Sequence, residues 1–530
     1  MDRKGQEGFE TWNGITATIN MLHYALSPPI FPLSRRDKIT QPGGWPPGPD
    51  RLPEFCLTPT GQAGLNLELT TVPADIQLAQ IKSKSNNVFM NTRLFPAFCV
   101  CVSSVIGLWT PVFAADDALE NKPGDAYFAK FEPVKAPEPS GLMLKQGDRL
   151  AICGDSITEQ KMYSRIMETY LTVAVPELRI TVRQYGWSGE TAPGFLERMT
   201  NDCLQFHPNV ATTCYGMNDH GYRAYEEEIG KRYRTTTESI VRSFKNAGVR
   251  VIIGSPGMVG KKPTWTQATE STIADMNLSL CQLRNMDIEI ARSEKEGFAD
   301  VFWPMLTGGF TAQQKFGPDY GIAGKDGVHP GWAGHLVMAY AFLHAMALPG
   351  EIGTYVVDLK GNEAGVSLGH TMNSFKDGVL TITSRKYPFC APAAELSRDD
   401  ALRSGMALVP FNQELNRLLL IVKNGPAEKY RITWGSESRD YTADQLSKGI
   451  NLAEEFANNP FSEVFNRVDA AVAAKQNYET RQIKELFHGP EGHADLAATV
   501  ALTEKVRAPL AEAVRKAFVP VTHAIKIEAQ

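Results

Sequence analysis

Ser156, His329 and Asp326 are the residues of this chain whose types and spacing suit nucleophilic catalysis. Ser156 stands in RLAICGDSIT (149–158), where the apolar run Leu150-Ala151-Ile152-Cys153 stops at Gly154-Asp155-Ser156 and a helix-like segment starts at once. A serine at such a junction presents its hydroxyl at the carboxyl end of a strand, beside free backbone N–H groups and the positive end of a helix dipole. It needs a base, and His329 in DGVHP (326–330) suits because imidazole titrates near neutral pH. Asp326, three residues earlier, is near enough in a turn to accept the other ring proton and hold the tautomer. The chemistry is acyl transfer, and its tetrahedral intermediate must meet fixed donors, each worth roughly 3 kcal/mol in comparable sites. The Ser156 amide, the Gly189 amide in GWSGET (186–191) and the side-chain amide of Asn218 in GMND (216–219) are the candidates. Gly189 suits the task because a missing side chain lets a substrate approach the backbone. Asp155 and Asp219 read as turn-shaping residues, and His207, His220, His335 and His344 as structural or surface ones.

These groups converge only if the right elements carry them. Apolar strands are expected at 149–154, 179–186, 209–216, 249–257 and 298–304, with helices near 158–175, 191–205, 222–247, 266–296 and 331–347. Strand and helix in alternation imply a three-layer α/β/α sandwich around a mostly parallel five-stranded sheet. A site in such a fold lies at the carboxyl ends of the strands, where GDS, GWSGET and GMND all fall. Residues 305–325, MLTGGFTAQQKFGPDYGIAGK, read as a long Gly-rich loop ahead of Asp326. Trp187, Tyr222, Trp265 and Trp332 lie in or beside the loop ends, where flat faces stack on sugar rings or pack as lid and core.

The ordered blocks GDSIT, GWSGET, GMND and DGVHP resemble those of the SGNH hydrolases, also called GDSL-type esterases, over about 149–347. The last letter of the family's name is a leucine, and this chain has Ile157 there, a conservative departure. The resemblance implies a flavodoxin-like sheet, Ser156 as nucleophile, Gly189 and Asn218 completing the oxyanion hole with the Ser156 amide, and Asp326 with His329 completing the triad. It implies no metal or cofactor, and the sequence shows no zinc-ligand spacing among its cysteines.

The front of the chain differs. Residues 1–89 are rich in Pro, Gly and Ser without sustained periodicity and read as disordered or as an upstream-start artefact. Met90-Asn91-Thr92-Arg93, the apolar run LFPAFCVCVSSVIGLW and Val112-Phe113-Ala114 read as a signal peptide, 90–114, cleaved after Ala114. The apolar run is short for a membrane span. Met90 is therefore read as the initiator; the alternative is a real extension followed by a signal anchor. The mature chain then works outside the cytoplasm, secreted or periplasmic, without a stable membrane span. It keeps the cysteines Cys153, Cys203, Cys214, Cys281 and Cys390, an odd number, with Cys153 and Cys214 read as buried thiols and Cys203–Cys281 left open as a bridge. A formal charge of −5 offers no basic footprint for nucleic acid.

Residues 115–146 read as a linker or surface arm and 147–350 as the hydrolase domain. Residues 351–530 read as an appendage, first a small antiparallel β element and then helices at 452–483 and 494–518. It either buttresses the catalytic domain or binds carbohydrate. The expected activity is that of a secreted serine esterase removing small acyl groups, acetyl above all, from a small-molecule or glycan ester. The competing readings are a lipolytic esterase or thioesterase of the same fold, and a non-catalytic carbohydrate-binding relative.

Overall fold

The strands of the first sheet alternate in what they bury. Leu150 and Ile152 enter one apolar cluster, and Ala151 and Cys153 enter another on the opposite face. That period of two, with both faces apolar, is the signature of a parallel sheet covered by helices on each side. The computed structural model describes residues 118–266 and 270–530. The expected leader 1–89, the signal 90–114 and Cys56, Cys99 and Cys101 lie outside the described residues.

Five parallel strands, β1 (Arg149–Gly154), β2 (Thr181–Gly186), β3 (Val210–Cys214), β4 (Arg250–Gly254) and β5 (Gly297–Ala299), are ordered β2-β1-β3-β4-β5. The direction of winding reverses between β1 and β3, so their carboxyl ends flank a crevice at the topological switch point. The helices are α1 (Ser156–Glu159), α2 (Tyr163–Val173), α3 (Ala192–Asp202), α4 (Glu227–Asn246), α5 (Ile273–Glu294), α6 (Phe302–Phe316) and α7 (Trp332–Ala345). Gly154 and Gly186 pair across the β1–β2 ends, and a Cβ on Gly186 would stand 2.2 Å from the Glu159 amide. The close approach of α1 to the sheet edge requires glycine there.

Two expectations about this half are corrected. The fifth strand is not 298–304 but the three residues of β5, and the front of the supposed 305–325 loop is helix α6. Pro304 sits in the first turn of α6, where its missing N–H is no loss, and buried Met305, Leu306, Gly309 and Ala312 face the core. The arm before β1 is also docked: Phe128 and Phe131 are fully buried, with Phe128 edge-on to Phe310 at 5.1 Å and to Trp303 at 5.8 Å.

The second half holds two sheets rather than one antiparallel element. Strands β6 (Glu351–Asp358), β7 (Glu363–Val366), β8 (His370–Lys376), β9 (Val379–Ser384), β10 (Arg417–Lys423), β11 (Lys429–Trp434), β12 (Glu437–Thr442), β13 (Ile450–Asn451) and β14 (Val521–Ala529) divide as β13-β10-β6-β7 and β12-β11-β14-β9-β8. The β6–β10 pair is parallel, and β14, unforeseen in the sequence, lies between β9 and β11. Helices α8 (Ser462–Arg481) and α9 (Leu496–Ala517) cover the open edge of β2. Lys475 Nζ donates to the Val182 carbonyl at 2.8 Å, and the Gln184 amide donates to Glu479 at 3.2 Å. An exposed edge strand is a template for unwanted pairing, and these side chains occupy it.

All five described cysteines are free and buried. Cys203 and Cys281 belong to different apolar clusters, so the bridge left open between them does not form.

Candidate active site

The turn after β1 is shaped by Asp155, whose carboxylate caps α1 by accepting the Ile157 amide at 2.9 Å. That leaves the Ser156 hydroxyl free of a capping task. Its partner is His329, with Nε2 2.8 Å from Ser156 Oγ across 173 positions of chain. On the other side of the ring, Nδ1 lies 2.8 Å from Asp326 Oδ2. Asp326 Oδ1 accepts the Val328 and His329 amides, each at 2.9 Å. Partial burial pushes the Asp326 carboxyl upward, but the His329 and Val328 amides and the imidazole outweigh it and hold the group below the usual carboxylate range. Ser156, His329 and Asp326 thus form one continuous hydrogen-bonded relay.

The three expected donors lie in the turns that follow β1, β2 and β3. Gly189 adopts φ +75° and nothing lies within 4 Å of where its Cβ would be, so a side chain would be strained there and the space beside it is open. Asn218 Nδ2 donates to the Glu190 carbonyl at 2.9 Å, and Asn218 Oδ1 accepts from Tyr222 at 3.2 Å. These two bonds fix which end of the amide carries hydrogen. Asp219 accepts the Ala192 and Gly216 amides, each at 2.9 Å, and so ties the GMND loop to the start of α3.

The four aromatics divide. Trp265, 46% exposed, lies 5.7 Å from the His329 ring and 6.2 Å from Tyr222. Trp187 packs edge-on to His488 at 4.9 Å with Arg198 and Lys484 over its ring, and Trp332 faces Arg165 at 5.6 Å. The remaining histidines are structural or peripheral. His207 ends a turn in the left-handed region and His344 pairs with Glu414 at 3.1 Å. His220 donates through Nδ1 to the Met217 carbonyl at 2.6 Å, and burial pushes it down to about 4.

His335 is fully buried, accepting the Tyr163 amide at 3.2 Å and reaching Gln160 at 3.0 Å. Burial, with a smaller push from His329, lowers it to about 3. An unfolded histidine takes up a proton below about pH 6.5. The stability from keeping His335 neutral is therefore full above that pH and is lost as pH falls toward 3. His335→Gln is expected to shrink the fall in unfolding free energy between pH 7.5 and 5 by about 2 kcal/mol. Parallel denaturant curves for the two proteins would measure it, and an identical pH dependence would refute the assignment.

Sequence reasoning missed the groups that hold the loops. Glu190 makes a bidentate pair with Arg198 at 2.6 and 2.7 Å and accepts the Tyr215 hydroxyl at 2.8 Å. Glu159 accepts the Ser188 amide and binds Lys484. Glu190 lies within a block already singled out, but its partners are set by tertiary packing. Among the described residues no cluster of three or more His, Cys, Asp or Glu is placed to hold a metal ion. A cavity of about 560 Å³ lies elsewhere, between the amino ends of β1 and β2 and helix α9, with no serine, cysteine or histidine in its lining.

The GDSL-like lipase/acylhydrolase family model matches residues 152–337. A gut microbial diltiazem-metabolizing enzyme, BT4096, is similar in fold at 21% identity and a TM-score of 0.59, over 75% of this chain and 100% of that one. Axe2, an acetylxylan esterase from Geobacillus stearothermophilus, matches at 22% identity and a TM-score of 0.32, over 39% of this chain and 96% of its own. LAE5, an alpha/beta hydrolase enzyme from the metagenome of Lake Arreo, Spain, matches at 21% identity and a TM-score of 0.32, over 39% and 98%. No curated protein matches. With the matched segment holding Ser156 in the turn after β1 and Asp326 and His329 in the loop before α7, this chain is an ester-bond hydrolase that carries a GDSL-like lipase/acylhydrolase domain, of the SGNH type, over residues 152–337.

Proposed function

We propose that the chain is a secreted serine esterase that removes small acyl groups, acetyl above all, from carbohydrates. In this reading Ser156 attacks the ester carbonyl, His329 takes its proton and returns it to the departing alcohol, and Asp326 holds the imidazole. The Ser156 and Gly189 amides and the second N–H of Asn218 receive the oxyanion. Water then cleaves the acyl-enzyme by the same base. The observation that carries the mechanism is the unbroken relay Asp326–His329–Ser156, both links 2.8 Å.

The sugar preference rests on exposed Trp265 beside His329, with half-buried Tyr222 edge-on to it, since aromatic faces at the edge of a site suit the apolar faces of sugar rings. Acetate released from a panel of acetylated glycans, set against p-nitrophenyl esters of rising chain length, tests it. A preference for long acyl chains with no acetate from any glycan would sink the carbohydrate reading and favour a lipolytic enzyme. Secretion rests on the pattern of 90–114, and the N-terminal peptide mass of exported protein tests it; a mature start well upstream of Met90 would overturn it.

The oxyanion assignment makes its own prediction. Asn218→Ala should lower kcat on p-nitrophenyl acetate by about 100-fold. Steady-state kinetics measure this, and an unchanged kcat would remove Asn218 from the hole.

A further inference from the structure

The loop carrying Gly189 is held from outside the catalytic domain. Glu159 closes α1, the short helix that Ser156 opens. Its Oε2 accepts the Ser188 amide at 2.5 Å, and its two oxygens accept from Lys484 Nζ at 2.9 and 2.8 Å. Lys484 lies in Gln482–Phe487, a six-residue π-helical turn that continues α8, and such turns recur where a helix must aim a side chain at a functional site. The same turn reaches the loop a second time. The Trp187 ring lies 5.2 Å from Lys484 Nζ and 4.9 Å from the His488 ring, and His488 Nε2 is 2.9 Å from Asp202 Oδ2 at the end of α3.

The loop needs such support. Ser188 and Gly189 are exposed, and Gly189 lies in the left-handed region with open space where a side chain would be, so beyond the Glu190 amide donating to the Trp187 carbonyl at 3.2 Å little local contact holds its amide in one direction. An oxyanion donor works only when its N–H is aimed before the charge develops, because then no reorganisation is needed during the reaction. The Lys484–Glu159 pair is partly buried, with side-chain exposures of 26% and 19%, so solvent screens it less than a surface pair. Burial would raise the Glu159 carboxyl, yet the Lys484 ammonium and the Ser188 contacts outweigh it and keep the acceptor ionised.

We propose that Lys484 is a positioning residue for ester hydrolysis: through Glu159 it anchors the Ser188 amide, and so orients the next peptide unit, whose Gly189 N–H meets the oxyanion, which makes the C-terminal helical segment part of the machinery. This rests on the triad and oxyanion reading above. Lys484 itself touches no reacting atom in that reading.

The test uses the full chain with p-nitrophenyl acetate, the variants Lys484→Met, Lys484→Arg and Glu159→Gln, and methylboronic acid as a mimic of the tetrahedral state. The boron takes the Ser156 Oγ lone pair while the hydroxyl proton passes to His329. Lys484→Met is expected to lower kcat about 10-fold with KM held within about twofold, and to weaken boronate binding by the same factor, because a misaimed donor is lost only where oxyanion charge exists. Lys484→Arg should recover most of both, and Glu159→Gln should act in the same direction as Lys484→Met. Wild-type kcat and boronate affinity in Lys484→Met overturn the proposal, as does an equal loss in Lys484→Met and Lys484→Arg. If Lys484→Met fails to fold, Glu159→Gln carries the same two outcomes. Should Ser156→Ala keep wild-type activity, the underlying reading of the site fails; should it lose activity while Lys484→Met keeps it, only the positioning role falls.

Discussion

Ser156→Ala is expected to lower kcat on p-nitrophenyl acetate by at least about 10⁴-fold, because it removes the only atom that can form the acyl-enzyme in this mechanism. The fold should not notice the change. The amino end of α1 is capped by Asp155 through the Ile157 amide, and among the described residues the side-chain partner of Ser156 is His329 Nε2, so the helix cap does not depend on the hydroxyl. Alanine also has the higher helix propensity. Thermal unfolding within about 1 °C of wild type would thus accompany the kinetic loss, a shift corresponding to about 1 kcal/mol for a chain of this size. The variant keeps the Gly189 and Asn218 donors and the His329 base, so a residual rate above water is expected from binding and charge stabilisation alone. A burst of p-nitrophenol should vanish with the hydroxyl, since no covalent intermediate can accumulate. Equal rates in wild type and variant would take Ser156 out of the chemistry.

Why these positions were legible follows from where the information sits. The turns that end β1, β2 and β3 are local: an apolar run, a stop, then glycine, serine or asparagine, each readable within ten residues of chain. The switch-point order β2-β1-β3 then brings them together as a consequence of the fold rather than of further sequence signals. Helix α6 was missed because Pro304 and the Gly308-Gly309 pair carry strong loop signals, overridden by buried Met305 and Leu306 facing the core. Strand β14 was missed because it follows a long helix and finds its partners, β9 and β11, far back in the chain. Its inward residues His523, Ile525 and Ile527 do alternate, but a single histidine at the head of the row blurs the pattern. The aromatics show the same limit. Trp187 and Trp265 both stand near glycine-bearing loops, yet one is claimed by His488 and the other stays beside His329, a distinction set in the first case by a residue 301 positions away. Ion pairs such as Lys484–Glu159, 325 positions apart, leave no local trace at all.

Asp326→Asn should cost about 10³- to 10⁴-fold in kcat even though every atom of the relay stays in place. The geometry dictates the reason. Asp326 Oδ1 accepts two backbone amides, from Val328 and His329, and only the carbonyl oxygen of an asparagine can replace it there. The NH₂ group is then forced to the position of Oδ2, 2.8 Å from His329 Nδ1. Nδ1 must turn from donor to acceptor, the ring proton moves to Nε2, and the nitrogen facing Ser156 Oγ becomes a donor where a base is required. The turn itself survives, because both amides keep their acceptor, so Tm should hold while the chemistry stops. Wild-type Asp326 is held below the usual carboxylate range, so it stays ionised and remains the acceptor for Nδ1 through mild acid. In Asp326→Asn the kcat plateau is expected to be depressed at every pH. A plateau within about 10-fold of wild type would show that the aspartate shapes the turn and does nothing to the tautomer.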